Sequence, residues 1–363
     1  MQKKLVALAV MGVLAAPAAM ADVTVYGGAQ LSVNMDSVDA ANAGDETSAT
    51  SVTSNSSRIG LKGTEELKNG MTLSYKIERQ ISWDNNEDDG QIQKARDTYV
   101  AVKGDFGTVV VGRHSTPYKK ATKDIFSNTR GDYNSIMGLA VKKNGVGHNL
   151  RVDNVIAYIS PELSGLSVFA AYVPDAGDDS VDNTVDLEAF SVAANYKRGP
   201  LKAALAYEVV NNAVVVGTTG TDDDAAVKAS VTYKVADATS LGLVWESIDA
   251  GTDASNKELT QDNVYLSVVH GLSDATKLKF AYAQAGDVGG TSDTGAMQYT
   301  LGVSTKASKN TEFYALYTNL TADKDAKGYK LNGGQKLEAM GKSGNDKVAS
   351  SFSVGVVHKF ASM

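Results

Sequence analysis

Short segments in which apolar and polar residues alternate occupy most of this chain. In residues 23–35 the apolar positions, among them Val23 and Val25, share one parity, and residues 71–83 repeat the pattern. A period of two is typical of β-strands with one apolar face, and it returns in residues 347–360. Beyond the N-terminal residues, no segment is continuously apolar over the ~20 residues that a transmembrane helix needs. The pattern therefore predicts an all-β fold.

The connections between the predicted strands alternate between short and long. Together with an even count of roughly sixteen strands, this alternation is typical of a transmembrane antiparallel β-barrel, whereas a β-sandwich would not place a long loop at every second connection. In lipid the sheet must close, and a barrel of about sixteen strands leaves a water-filled lumen. The short connections are 68–70, 104–107, 161–165, 197–200, 236–239, 271–275 and 306–310, and long ones include 84–90, 175–186, 211–224, 250–258, 286–293 and 321–346.

The alternation stops in one long segment, residues 113–151. Connections of this length are uncommon in compact domains and are usually functional or disordered. This one mixes positive, negative and aromatic side chains, so it is not a low-complexity linker. Because an unobstructed barrel of this width would pass almost any small molecule, we predict that this third long outer loop folds into the lumen and sets its width and charge.

The first 21 residues have the features of a cleaved export signal. Lys3 and Lys4 precede an apolar run that is too short to span a membrane, and Ala19-Met20-Ala21 resembles a cleavage site. Cleavage there would leave one barrel domain, residues 22–363, and would take the formal net charge from -7 to -9. That acidity argues against a nucleic-acid partner, and the absence of cysteine excludes a disulfide framework.

Other functional classes find little support in the sequence. No G-x-S-x-G motif accompanies the histidines that flank the central segment, His114 and His148, and Gly341-Lys-Ser343 lacks the earlier glycine of a phosphate loop. We therefore predict no enzymatic activity, no catalytic residue and no cofactor. A substrate-specific channel, for a sugar or an anion, and a non-conducting surface adhesin stay open as alternatives.

Acidic stretches recur in the predicted outer loops. They lack the ligand spacing of a calcium-binding loop, so solvated surface charge is the preferred interpretation and no metal site is predicted. The functional alternative is that divalent cations bridge these loops to anionic lipid headgroups. The stretches are Glu87–Asp89, Asp178-Asp179 and Asp222–Asp224.

A set of motifs resembles the general-diffusion porins of the Gram-negative outer membrane, the trimeric sixteen-stranded type. Each motif is weak alone, but the set in this order is specific and spans nearly the whole chain after the signal. The resemblance implies a homotrimer, embedded in outer-membrane lipid and lipopolysaccharide, that passes ions and small hydrophilic solutes. The motifs are Val25–Gly27, Ser57–Leu67, Arg96–Val100, Gly104–Val109, Val111–Arg113, Arg151–Asn154 and Tyr158–Gly165.

The resemblance also implies which residues form the constriction of the pore. In such porins the third outer loop presents carboxylates to a basic cluster on the facing wall. Arg58 and Arg96 match wall positions, with Arg151 as a further candidate, and the loop side would come from Asp124 and Asp132. Some members carry a lysine where this chain has Gly28, so the resemblance does not predict strong anion selectivity.

The last predicted strand also matches the family. Members normally end at a terminal phenylalanine that resembles an assembly signal, and Phe360 matches it. Here Ala361–Met363 follow. Either the signal tolerates a short tail, or assembly reads Phe360 in place.

Overall fold

The computed structural model describes most of the chain, in nine ranges. The predicted signal segment, the acidic stretches Glu87–Asp89 and Asp178-Asp179, and Gly341–Ser343 lie outside them, as do Asp222 and Met363. The described ranges are 23–39, 47–84, 92–138, 148–174, 187–212, 223–252, 258–326, 328–332 and 347–362.

Strands account for nearly all of the regular structure in these ranges. The exceptions are a four-residue α-helix, α1 (Pro117–Lys120), and two 3-10 turns, η1 (Lys68–Gly70) and η2 (Tyr133–Ser135). No helix in the described part of the chain is long and apolar enough to cross a membrane. The strands are β1 (Thr24–Asp39), β2 (Thr47–Ser54), β3 (Arg58–Glu66), β4 (Thr72–Ile81), β5 (Ile92–Gly104), β6 (Gly107–Ser115), β7 (Arg151–Ile159), β8 (Leu166–Val173), β9 (Leu187–Arg198), β10 (Leu201–Asn212), β11 (Asp224–Ala236), β12 (Thr239–Thr252), β13 (Glu258–Gly271), β14 (Thr276–Ala285), β15 (Ala296–Lys306), β16 (Thr311–Ala322) and β17 (Lys347–Ala361).

The strands form one closed antiparallel sheet. Apart from β2 and β3, which do not pair with each other, each strand pairs with its sequence neighbours, and β1 also pairs with β17, with Val33 opposite Val354. β2 and β3 pair in succession with the same strand, β1, so together they make one wall position. The seventeen strand segments of the described residues thus form a sixteen-stranded barrel, which confirms the predicted fold class.

The two faces of the sheet are inverted relative to a soluble protein. In β15, Met297, Tyr299 and Leu301 are exposed on the outer face, whereas Gln298 and Thr300 are buried on the inner face. An apolar exterior and a polar interior are the arrangement that a lipid-embedded barrel requires. The same alternation that predicts strands therefore also assigns each side chain to lipid or lumen.

Arg58 owes its inward orientation to an irregularity in the wall. Gly28 of β1 pairs with Arg58, and Leu31 of β1 pairs with Ser54. Gly28 and Leu31 are three residues apart, whereas Ser54 and Arg58 are four residues apart. The extra residue is a β-bulge, which reverses the parity of all that follows. Ser56 adopts a positive φ of 57° at this point. Arg58 consequently shares the inner face with Lys62, Thr64 and Glu66.

The last strand continues past Phe360. Phe360 is opposite Gly27 and 40% exposed on the outer face, and a Cβ at Gly27 would collide with its ring. Ala361 still pairs with Tyr26, and the Ser362 amide donates to the carbonyl of Val25 at 2.7 Å. The described part of the tail therefore extends the closing ladder, while the role of Phe360 as an assembly signal stays a prediction.

Candidate functional site

The segment between β6 and β7, residues 116–150, is here termed the inward segment; the structure describes all of it except 139–147. Thr116 Oγ1 accepts a hydrogen bond from the Lys119 amide at 3.3 Å and caps α1, whose first residue is proline. A threonine cap followed by proline is a strong helix-start signal. Asp132 caps η2 in the same manner. Local capping, in place of strand pairing, shapes this segment.

The inward segment contacts strands on opposite sides of the barrel. Near its start, the Tyr118 amide donates to Ser191 Oγ of β9 at 3.1 Å. Further on, Gln30 Nε2 of β1 donates to the carbonyl of Asn128 at 2.8 Å. A segment that reaches both β9 and β1 must cross the interior of the closed sheet. It therefore occupies part of the lumen and leaves the remaining passage along the β3–β7 wall.

A buried ion pair holds the middle of the inward segment to β1. Arg130, 1% exposed, donates from Nε to Asp36 Oδ1 at 3.1 Å and from Nη2 to Asp36 Oδ2 at 2.9 Å. Its Nη1 also donates to the carbonyl of Asn332 at 3.0 Å, and Nη2 to Ser51 Oγ at 3.2 Å. Bidentate arginine–carboxylate pairs fix geometry as well as supply energy. We call this group the Arg130 clamp.

A second buried network holds the start and end of the segment to β11 and β12. Glu246 accepts from Tyr118 Oη at 3.0 Å and from the Gly138 amide at 2.7 Å. Lys228 Nζ donates to Asn149 Oδ1 at 2.7 Å, lies 3.3 Å from Glu246 Oε2, and stands 3.9 Å from the centroid of the Tyr118 ring. Sequence reasoning missed this network because Lys228 and Glu246 look like ordinary polar positions of alternating strands.

The basic residues of the facing wall are gathered by two carboxylates. Arg96 Nε donates to Glu78 Oε1 at 2.7 Å, and Arg58 Nε lies 3.7 Å from Glu78 Oε2. Arg151 Nε donates to Asp97 Oδ1 at 2.5 Å. The structure thus brings the three predicted arginines to the same wall, although their lining of the constriction stays a prediction.

Lys76 links the two carboxylates of this wall. Its Nζ lies 3.3 Å from Glu78 Oε2 and 3.1 Å from Asp97 Oδ2. The group of Arg58, Lys76, Arg96 and Arg151 is called the basic wall. Sequence reasoning overlooked Lys76, Glu78 and Asp97, although Lys76 and Glu78 share the polar parity of β4. The wall carries four positive charges against two negative ones.

The two loop carboxylates are engaged inside the inward segment. Asp124, 8% exposed, accepts hydrogen bonds from the amides of Phe126 and Tyr133 at 2.9 and 3.1 Å and from Tyr265 Oη at 2.9 Å. Burial, together with the charge of the neighbouring Asp132, raises the pKa of Asp124 well above its usual value. The structure therefore gives Asp124 a structural role that the resemblance does not imply.

Asp132 is engaged in the same way. It is 2% exposed and accepts hydrogen bonds from the amides of Asn128 and Asn134 at 2.6 and 2.9 Å, and burial raises its pKa. Neither Asp124 nor Asp132 turns a free carboxylate toward the basic wall. Their assignment to the pore lining stays a prediction, and the geometry favours lysines in that place.

Besides Arg130 and the two aspartates, the described part of the inward segment carries three lysines. Lys120 and Lys123 are exposed to the lumen. Lys119 is half-buried, and its Nζ donates to the carbonyl of Asn149 at 2.7 Å. Burial, aided by the charge of Arg151, lowers the pKa of Lys119 to about 8. At neutral pH the water-facing surface of the described segment is therefore basic.

The described ranges contain no group of three histidine, aspartate or glutamate side chains arranged to hold a metal ion. The histidines that flank the segment have structural neighbours: His148 Nδ1 lies 3.0 Å from Glu208 Oε1, and the His114 ring packs edge-on against Tyr99 and Phe169. The arrangement of charges along an open lumen suits the passage of solutes.

Comparison with known proteins agrees with this geometry. A family model described as Gram-negative porin matches residues 6–325. Outer membrane porin protein 32 of Delftia acidovorans is 30% identical over 341 residues, which cover 90% of this chain and 91% of that protein. Chitoporin of Vibrio furnissii is 33% identical over 207 residues, which cover 55% of this chain and 54% of that protein.

A solved structure supports the fold independently. The anion-selective porin from Comamonas acidovorans superposes with a TM-score of 0.73 at 23% identity, covering 94% of this chain and 100% of that one. The relatives are channels in the outer membrane, and the barrel described above has the faces that such a membrane requires. The chain therefore belongs to the Gram-negative porin family and is an outer-membrane β-barrel.

Proposed function

We propose that this porin is a general-diffusion channel for small hydrophilic solutes and ions, with a preference for anions. The observation that carries the proposal is the sign of the charge on both sides of the passage. The inward segment turns Lys120 and Lys123 to the water while Asp124 and Asp132 are buried, and the basic wall has an excess of positive charge.

The two basic surfaces act on the same passage. Charges of one sign that line a narrow opening with low-dielectric walls raise the local concentration of oppositely charged ions. Rings of lysine and arginine are a known basis of anion selectivity in pores. Glu78 and Asp97 offset half of the wall's charge and hold its arginines in place, so the preference should be clear but not absolute.

Reversal potential in planar lipid bilayers tests the proposal. We expect stepwise, ohmic openings with purified protein, and a reversal potential in a KCl gradient whose sign reports chloride entering more readily than potassium. A cation-selective reversal potential would refute the anion preference. Block of the current by a chitin oligosaccharide at low concentration would instead indicate a sugar-specific channel.

We also infer a homotrimer in contact with outer-membrane lipid and lipopolysaccharide. Membership of the porin family and the apolar outer face support this inference. An unheated sample should migrate as a trimer on a denaturing gel and should shift to the monomer position after boiling. Migration as a monomer under all mild extraction conditions would contradict it.

A further inference from the structure

The lumen has a second concentration of positive charge, separate from the basic wall. Five lysines line one cavity of about 390 Å³, below the inward segment. We call it the lysine vestibule. Its lysines are Lys123, Lys202, Lys277, Lys279 and Lys306, and the acidic residues beside them are Asp124 and Glu312.

The vestibule lies at the short-turn end of the barrel. Lys202 and Lys277 are each the second residue of their strand, directly after a short turn, and Lys306 is the last residue before one. In outer-membrane barrels the short turns face the periplasm. The basic wall lies deeper, since Arg58 is at the end of β3 remote from its short turn. A solute entering from outside therefore meets the wall first and the vestibule second.

The lysines of the vestibule and the residues of the basic wall differ in the carboxylates that lie near them. Each member of the basic wall lies within ion-pair distance of Glu78 or Asp97. In the vestibule, Lys279 Nζ lies 3.7 Å from Glu312 Oε1. Among the described residues, no carboxylate lies at ion-pair distance from the other four lysines. Asp124 also borders the cavity, but its buried carboxyl is hydrogen-bonded to the amides of Phe126 and Tyr133. Four ammonium groups thus share one cavity without a carboxylate at ion-pair distance.

The rest of the lining suits an oxyanion. Hydroxyl side chains from four strands border the same cavity: Thr232, Ser240, Ser267 and Ser304. Each lysine offers three donors on a flexible stem and can follow acceptors of different shapes, unlike the planar fork of arginine. Hydrogen bonds from an ammonium group to a carboxylate or phosphate oxygen are stronger than those between neutral groups. A solute with two negative charges can engage several lysines at once.

We infer that the lysine vestibule is a binding site for small dianions, such as dicarboxylates and phosphate compounds, and that it retains them on the periplasmic side of the pore. This inference builds on the proposed function. Monovalent anions pass the vestibule without retention, because a single charge gains less from several dispersed lysines than a double charge does.

The test compares bilayer currents of the full-length porin with succinate, inorganic phosphate and acetate as probes, at low ionic strength where charge effects are least screened. We expect the chloride current to fall and saturate with succinate and with phosphate, but not with acetate. The variant Lys202→Gln/Lys277→Gln/Lys306→Gln should raise the half-maximal concentration of both dianions about tenfold, since three charges are lost. The matched control is Lys68→Gln/Lys234→Gln/Lys309→Gln, which removes three charges from the same end of the barrel but outside the cavity.

Besides an absence of saturation by dianions, two results would overturn the inference. One is equal dianion affinity in the vestibule variant and the control variant, with both variants folding to heat-modifiable barrels of normal KCl conductance. The other is inhibition by acetate at the same concentrations as succinate. If the channel prefers anions but its current does not saturate with dianions, only the inferred vestibule site is refuted. If the current saturates with dianions but the channel has no anion preference, only the proposed selectivity is refuted.

Discussion

Burial lowers the pKa of Lys119 to about 8, close to neutral pH. Its ammonium group is tied to the carbonyl of Asn149, is half-buried, and is near the guanidinium of Arg151. All three circumstances act on a side chain that borders the passage. At this scale, we expect the proposed selectivity to depend in part on whether Lys119 carries its proton.

Anion preference should weaken as the pH rises through about 8, because Lys119 then loses its positive charge. Reversal potentials measured across this range should therefore move toward zero. Lys119→Arg keeps its charge throughout and should reduce the change; what is left would come from Lys120, whose pKa burial also lowers. If the pH response is unaltered in Lys119→Arg, the titrating group is another residue.

Replacing Arg58 by serine should shift the reversal potential toward cations, with the anion-to-cation permeability ratio falling about twofold, because one of the positive charges at the passage is lost. The matched control is Arg79→Ser in β4, which removes the same charge from an exposed position of opposite parity. If both substitutions shift the reversal potential equally, Arg58 does not line the passage.

At the scale of elements, the inward segment is a rigid insert. The Arg130 clamp joins its middle to β1, and the Glu246 network joins its two ends to β11 and β12. Close approach supports the same point: a Cβ added to Gly131 would lie 2.5 Å from Thr300 Cγ2. A segment held at three places does not swing freely, so the width of the passage should be constant.

Arg130→Ala should destabilise the barrel by about 3–5 kcal/mol, since Asp36 is left as an unpaired buried charge. The thermal transition in detergent should fall, and open-channel noise should increase as the segment loosens. Arg130→Ala/Asp36→Ala removes both charges and should recover part of the stability. A thermal transition equal to that of the wild type in the single variant would refute the clamp.

The sequence predicts the wall of the barrel better than its contents. Strand position and face follow from a period of two, as Met297 to Leu301 show, and parity places Arg58 in the lumen. The inward segment has no such period. Whether Asp124 points to water or to the Tyr265 hydroxyl depends on contacts with a strand far away in sequence.

At the scale of the whole molecule, the charge is divided by location. The formal net charge is -7, yet basic residues outnumber acidic ones along the described passage. Composition alone therefore points away from anions, while the interior points toward them. The alternation of side chains along each strand explains this disagreement between composition and interior. It separates the side chains that reach the passage from those that do not.

Closure of the barrel joins its first and last strands near Phe360. Phe360→Ala should lower the yield of heat-modifiable trimer, because the ring covers Gly27 at the closing seam. Removal of residues 361–363 should lower the trimer yield less, since it deletes only the last hydrogen-bonded pairs of the ladder. Both yields are measured in isolated outer membranes. A larger loss from the truncation would mean that assembly depends on the tail.

The bulge at Ser56 means that the inward-facing residues cannot be found by counting alternate positions along the chain. A regular ladder through the same residues would pair Arg58 with Gly27 instead of Gly28, which would turn Ile59 and Leu61 to the water and Arg58 and Lys62 to the lipid. Loss of the Ser56 codon would instead remove the extra residue and leave both strands on their present faces. Where porin sequences differ by one residue here, parity counted through the connection from β2 would therefore assign the wrong side chains to the channel, whereas pairing with β1 would assign the right ones.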